Sequence, residues 1–235
     1  MNVLEIQGLV AGYGKLPIIR DINLRLMEGV TAAVIGPNGS GKSTLAKSII
    51  GFTTIFSGSL NYEGKDITHT PPEKRIHMGI GYLPQTQNIF PDLTVLENLE
   101  MGGYSLSKTE LKARLRQVLE MFPELEERVS QKAGTMSGGE RQMLAMARLL
   151  MTSPKLVIID EPSAGLAPKI VDRIYEKIDL LRREGITMAL IEQHALKAIQ
   201  HSDRTVVMVG GRIVFEAPSE NMAGVDLGAI FFQRG

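Results

Sequence analysis

The apolar positions of this chain follow two rhythms. Short uninterrupted runs recur at residues 31–35 (TAAVI), 156–160 (LVIID), 186–191 (ITMALI) and 205–209 (TVVMV). A strand with one wet face alternates polar and apolar side chains; these runs do not, which predicts strands buried on both faces of a partly parallel sheet. Helical patterns separate several of them, so the predicted core is α/β. Residues 3–10, 22–26 and 58–67 read instead as antiparallel strands, the last folding back at Glu63-Gly64. Residues 212–217, after Gly210-Gly211, read as the returning strand of a late hairpin.

The second rhythm is helical and fills residues 93–122. Thr94-x-x-Glu97 and Ser107-x-x-Glu110 both match capping boxes. Leu111, Leu115, Val118, Leu119 and Phe122 make one apolar stripe, which Pro123 ends and which reads as core packing. The expected organisation is one domain over 1–235. An α/β core takes residues 1–87 and 146–235, and a helical subdomain over 88–145 is inserted in it.

Composition narrows the function classes. With 235 residues and 43% hydrophobic side chains, the chain can bury a sizeable core. Twenty-six basic against 26 acidic residues leave a formal net charge of zero, which argues against a nucleic-acid partner. There is no cysteine, so disulfides, thiolate metal sites and cysteine nucleophiles are excluded and a reducing compartment is expected. The start, MNVLEIQGLV, lacks a basic segment followed by a long apolar one, so no secretory signal is expected. The longest purely apolar runs are about five residues, against roughly 18–20 for a bilayer span, so any membrane-spanning part must come from another chain.

Three motifs carry chemistry. Gly36-Pro37-Asn38-Gly39-Ser40-Gly41-Lys42-Ser43 fits the phosphate-loop pattern, directly after a buried-strand run and directly before a helix that begins near Thr44. Its backbone N–H groups can turn around phosphate oxygens, Lys42 can neutralise the β- and γ-phosphates, and the Ser43 hydroxyl can ligate Mg²⁺. The second motif is an apolar strand ending in Asp160 and Glu161, which places Asp160 to hold Mg²⁺ and Glu161 to take a proton from attacking water. In the third, Ser137-Gly138-Gly139-Glu140 opens a helix. Alone it is a well-capped helix start, although two glycines there also make an anion cradle. The base-reading signals of GTPases, Asn-Lys-x-Asp and Asp-x-x-Gly, are absent.

Taken in order, GPNGSGKS, the glutamine of YLPQ, MSGGERQ and LVIIDEP make the chain resemble the ATP-binding cassette family over nearly its whole length. The resemblance implies an α/β P-loop NTPase core, a mixed, partly parallel sheet with an N-terminal antiparallel portion, carrying a helical subdomain. It implies ATP hydrolysis with Mg²⁺, Tyr13 stacked on adenine, and Gln85 joining the Mg²⁺ site to the helical subdomain. It also implies a head-to-tail pair of cassettes, each ATP lying between one phosphate loop and the other chain's 137–140 turn. The partners implied are transmembrane permease subunits and a second ATPase chain, at the cytoplasmic face of the membrane.

Two departures stand out. The family's switch histidine lies ten residues before an Asp-Arg pair; counting back from Asp203-Arg204 lands on Gln193, with His194 one place later. Strand alternation would send these two to opposite faces, so Gln193 is the expected γ-phosphate contact and His194 the second candidate. The other three histidines, His69, His77 and His201, show no ligand spacing. After Glu161-Pro162 the family often has Ser-Ala-Leu-Asp; here Ala167 follows Ser163-Ala164-Gly165-Leu166. The stretches GLAP, IEQ and DLGAIFFQRG are similar to ATPase subunits of branched-chain amino acid importers, which would add a solute-binding protein outside the membrane. The alternatives are a urea, other amino acid or lipid transporter. A non-transport switch on ribosomes or DNA is disfavoured by the balanced charge and the lack of sustained heptads.

Overall fold

A computed structural model describes every residue except Gln87 and residues 233–235. Two strands, β1 (Asn2–Tyr13) and β2 (Leu16–Met27), open the chain and lead to β3 (Thr31–Ile35) and helix α1 (Lys42–Ile50). β4 (Thr54–Tyr62), β5 (Lys65–Asp66), α2 (Pro72–His77) and β6 (Ile80–Leu83) follow. The helical middle holds α3 (Val95–Gly102), α4 (Lys108–Met121), α5 (Pro123–Glu126) and α6 (Gly138–Leu150). The rest alternates: β7 (Leu156–Asp160), α7 (Pro168–Arg183), β8 (Thr187–Glu192), α8 (Ala195–Gln200), β9 (Arg204–Val209), β10 (Arg212–Pro218) and α9 (Leu227–Phe232).

The strands form two sheets, an antiparallel one ordered β2-β1-β4-β5 and a larger one ordered β10-β9-β3-β8-β7-β6. In the larger sheet only β10 runs antiparallel to its neighbour. Its central strands are apolar throughout because successive residues feed two different cores. Val157, Ile159, Met188 and Leu190 point into a core shared with α4, α6 and α7. Leu156, Ile158, Ala189 and Ile191 point into one shared with α1 and the antiparallel sheet. In β1 the buried set moves from Leu4 and Ile6 to Leu9 and Ala11, and the irregular register between Ile6 and Leu9 makes that phase change possible.

Both capping boxes close: Glu97 N–H donates to Thr94 Oγ1 at 3.2 Å and Glu110 N–H to Ser107 Oγ at 3.3 Å. The helical stretch is interrupted at Gly103, and each capping box opens its own helix. Strand β6 was not foreseen; it is short, contains Gly81 and pairs in parallel with β7. The position 87 boundary lies outside the described residues, and α6 continues without a break across 145/146.

Candidate functional site

Four parallel strands end on one edge of the larger sheet, where loops leave room for ligands. β3 delivers the phosphate loop, β6 leads to Gln85, β7 ends in Asp160 and β8 ends in Glu192. Gly36 has φ 156°, and a Cβ there would lie 2.1 Å from the Met208 carbonyl oxygen, so no other residue fits. Lys42 Nζ is folded inward, donating to the Gly36 oxygen at 2.9 Å and the Pro37 oxygen at 3.1 Å. Burial pulls the Lys42 pKa down, while Glu161, Asp160 and Glu192 oppose that. Among the described residues the Ser40 hydroxyl is buried without a partner, and the space beside Gly39 is open. A glycine-rich loop at a helix start, a caged cation and an orphaned hydroxyl fit a polyphosphate.

Asp160, 3% exposed, is held through both oxygens. The Ser43 hydroxyl donates to Oδ1 at 3.0 Å and the Tyr82 phenol to Oδ2 at 3.2 Å. Burial pushes the Asp160 pKa up, against those two hydrogen bonds and the Lys47 and Lys42 charges. The Tyr82 phenol is pushed up as well, by burial and by Asp160 itself, so it stays a donor. Among the described residues no cluster of three or more His, Asp or Glu could enclose a metal. The hard oxygens of Ser43 and Asp160 fit an ion such as Mg²⁺, which keeps waters and phosphate oxygens as its other ligands.

Glu161 adopts φ 47°, in the left-handed region, and its N–H donates to the Ile191 oxygen at 2.8 Å. Such a backbone is strained for a residue with a side chain and recurs at functional sites. Gln85 Nε2 donates to Glu161 Oε2 at 2.9 Å. Burial is the main reason the Glu161 pKa is raised; Lys42 opposes it, Asp160 and Glu192 add to it, and His194 opposes it.

β8 stops at Glu192, and Gln193 and His194 form a bend with both side chains exposed. Strand alternation therefore does not govern the pair, which removes that ground for choosing between them. His194 is close enough to Glu161 to act on its charge. Tyr13 ends β1 half-exposed, with Lys47 Nζ 6.0 Å from its ring centroid, leaving ring surface for stacking. The 137–140 turn is held by its own capping box, with Glu140 N–H donating to Ser137 Oγ at 3.3 Å and Ser137 N–H to Glu140 Oε2 at 2.8 Å. A Cβ on Gly139 would lie 2.4 Å from Ile170 Cγ2, so this glycine also serves close packing against α7. Among the described residues no hydrogen bond joins this turn to the phosphate loop or to Asp160 and Glu161.

Thus the structure brings Lys42, Ser43, Gln85, Asp160 and Glu161 together, with His194 nearby, and leaves the 137–140 turn apart. Two residues escaped the sequence reading. Tyr82 carries no signal beyond its place on a strand that was itself missed. Glu192 did carry one, because it closes an apolar strand as Asp160 does.

Residues 19–164 match the family described as ABC transporter. The chain is 46% identical over 202 residues to a high-affinity branched-chain amino acid transport ATP-binding protein, BraG, of Pseudomonas aeruginosa, covering 86% of this chain and 87% of the relative. It is 44% identical to a probable branched-chain amino acid transport ATP-binding protein, LivF, of Archaeoglobus fulgidus, with 91% of each chain covered. Among solved structures, a nucleotide-free ATP-binding cassette from an ABC transporter superposes with TM-score 0.88 at 30% identity, covering 100% of both chains. A cassette in its ADP conformation does so with TM-score 0.88 at 29% identity, again over 100% of both. The chain therefore belongs to the ABC transporter family, as one of its ATP-hydrolysing subunits.

Proposed function

We propose that this ATPase powers import of branched-chain amino acids, as one of two cassettes that close head to tail around Mg-ATP beneath membrane permease subunits. The observation that carries the reading is the hydrogen-bonded set of Ser43, Tyr82, Asp160, Glu161 and Gln85 around the caged Lys42. The separation of the 137–140 turn from that set supports a second chain as the source of the missing half. The names of the relatives from P. aeruginosa and A. fulgidus support the solute.

In this reading Lys42 exchanges its two carbonyl partners for β- and γ-phosphate oxygens, and the loop N–H groups and Ser40 hydroxyl complete the cradle. Ser43 and Asp160, with Gln85 at their edge, would hold Mg²⁺, whose charge when bound offsets that building on the phosphates. Glu161 takes the proton of the attacking water as the bond to the γ-phosphorus forms and the bond to ADP breaks; its raised pKa makes it a better base. Tyr13 stacks on adenine, Gln193 or His194 meets the γ-phosphate, and Gly138 and Gly139 of the partner close the site. We further assign 1–235 to one nucleotide-binding domain with a helical subdomain over 88–145. A groove of about 520 Å³ lined by Phe52, Ile76, Leu83, Pro84, Thr86 and Gly102 supports docking of a permease helix beside the Gln85 loop. Such docking places the chain peripherally on the cytoplasmic face; no helix among the described residues is long and apolar enough to cross a membrane.

The test is to tag the chain in its host, solubilise membranes gently and identify what co-purifies. Two distinct permeases, a second cassette and a binding protein that takes up leucine, isoleucine or valine would support the proposal. A binding protein selective for another solute would overturn the amino acid assignment, and ribosomal or DNA-bound partners without permeases would overturn transport.

A further inference from the structure

The carboxylate of Glu192 is 1% exposed, and none of the ion pairs among the described residues includes it. An ionised carboxylate only accepts hydrogen bonds, and burying one without a cation is unfavourable unless donors surround it. Here the hydrogen-bond donors are backbone N–H groups from two different loops, and the buried Tyr175 phenol of α7 also lies close enough for the carboxylate to act on it. Ser163 N–H donates to Oε1 at 3.3 Å, and Gln193 and His194 donate theirs to Oε2 at 3.1 and 3.4 Å. Beside them, Glu161 N–H donates to the Ile191 oxygen at 2.8 Å, stitching the same two loops a second time.

We propose that Glu192 is a positioning residue for ATP hydrolysis, tying the turn that carries Glu161 to the bend that carries Gln193 and His194. The inference rests on the reading of Glu161 as the base and of residues 193 and 194 as the γ-phosphate contact. One oxygen holds Ser163, two residues past the base; the other holds the bend. A shift of the bend is thereby transmitted to the turn through a single rigid carboxylate. A buried charge with no ion-pair partner among the described residues, Lys42 acting on it only from beyond contact distance, is a poor choice for stability alone, since an isosteric neutral residue would remove the desolvation cost.

Glu192→Gln tests this with shape retained. Its single carbonyl oxygen can serve only one loop, and its NH₂ group confronts the donors of the other. On the full chain, with whichever cassette and permeases co-purify, kcat for ATP hydrolysis is expected to fall about 10- to 100-fold. KM for ATP and ADP affinity by calorimetry should stay within about 2-fold, because the phosphate loop is untouched. In a Gln193→Ala, His194→Ala background the further effect of Glu192→Gln should shrink, since it acts through that bend. An unchanged kcat, a loss fully additive with the 193/194 changes, or a parallel loss of ADP affinity and melting temperature would each overturn the proposal. Glu161→Gln is the reference: if it too hydrolyses ATP normally, the reading of the base fails and this inference with it. Normal hydrolysis by Glu192→Gln alone removes only the tie.

Discussion

Asp160 is a buried acid whose ionised form the fold disfavours, and that has a measurable sign. Its pKa is raised by burial above the ordinary 3.8, so its contribution to stability is full below that pH and is lost as pH rises through the folded-state value. Asp160→Asn keeps an acceptor for Ser43 and a polar partner for Tyr82 while removing the charge. The nucleotide-free variant is therefore expected to melt above the parent at pH 7.5. The gap should close as pH falls through the parent's folded-state value, below which its carboxylate is also neutral; each kcal/mol would show as about 2–4 °C at this chain length. A variant that melts below the parent at pH 7.5 would contradict the assignment of burial as the dominant effect. Glu161→Gln tests chemistry: hydrolysis should drop about 10²- to 10⁴-fold while ATP binding persists, as measured by turnover and calorimetry. At this scale the sequence was most legible where residue type and spacing are demanded by phosphate chemistry, as for Lys42, Ser43, Asp160 and Glu161. Tyr82 was opaque because tyrosines on strands are common, and Glu192, although it closes an apolar strand as Asp160 does, was overlooked because strand-end glutamates are ordinarily solvated; the fold reveals that these two face Asp160 and three backbone N–H groups.

Among the elements, α1 carries Lys42 and Ser43 at its first turn, and its last turn is held by a residue far along the chain. Arg75, 1% exposed, donates Nη1 to the Ser48 and Ile49 carbonyls at 2.8 and 2.7 Å. Its Nη2 donates to Ile67 and Thr68, and its Nε to Thr70. One guanidinium thus satisfies the C-terminal carbonyls of α1 and knits the segment after β5 to it. Although burial lowers its pKa to about 10, it remains charged at neutral pH. Arg75→Met keeps the bulk and strands the Ile49, Thr68 and Thr70 carbonyls, while Ser48 and Ile67 keep the Gly51 and Thr70 N–H groups, with an expected loss of about 3 kcal/mol. Chemical denaturation would measure it, and a change below about 0.5 kcal/mol, the range of ordinary surface changes, would show that water replaces the guanidinium. No sequence pattern announces such a residue, since arginine is ordinarily a surface side chain. The strand runs were legible for the opposite reason: a residue on β7 or β8 is buried whichever way it points, so the whole run must be apolar. The split of the 93–122 stretch was legible in its second capping box at Ser107, whereas the place of the break at Gly103 follows from packing. A Cβ on Gly103 would lie 2.7 Å from Leu111 Cδ1.

For the whole molecule, the decisive fact is that one chain holds both halves of the expected site but keeps them apart. The 137–140 turn is occupied with its own cap and with Leu166 and Ile170, and among the described residues no hydrogen bond links it to the phosphate loop. Rotating one half onto the other would break α6 out of a core to which Met143, Leu144, Met146, Ala147 and Leu150 all contribute. Pairing two rigid chains head to tail meets the same chemical need without breaking either core, and ATP, which touches both chains only when they are closed, then favours the pair. The Glu161→Gln chain in Mg-ATP, alone or with the cassette that co-purifies, is expected to double its mass from 25.7 kDa by light scattering. Exchange of ATP for ADP should return it to single chains, because ADP leaves the γ-phosphate contacts unmade. In the unmodified protein, turnover per chain should rise with protein concentration until pairing saturates, as it must for a site built by two molecules. Turnover independent of concentration, from a species that stays at single-chain mass with ATP bound, would mean that one chain completes its own site.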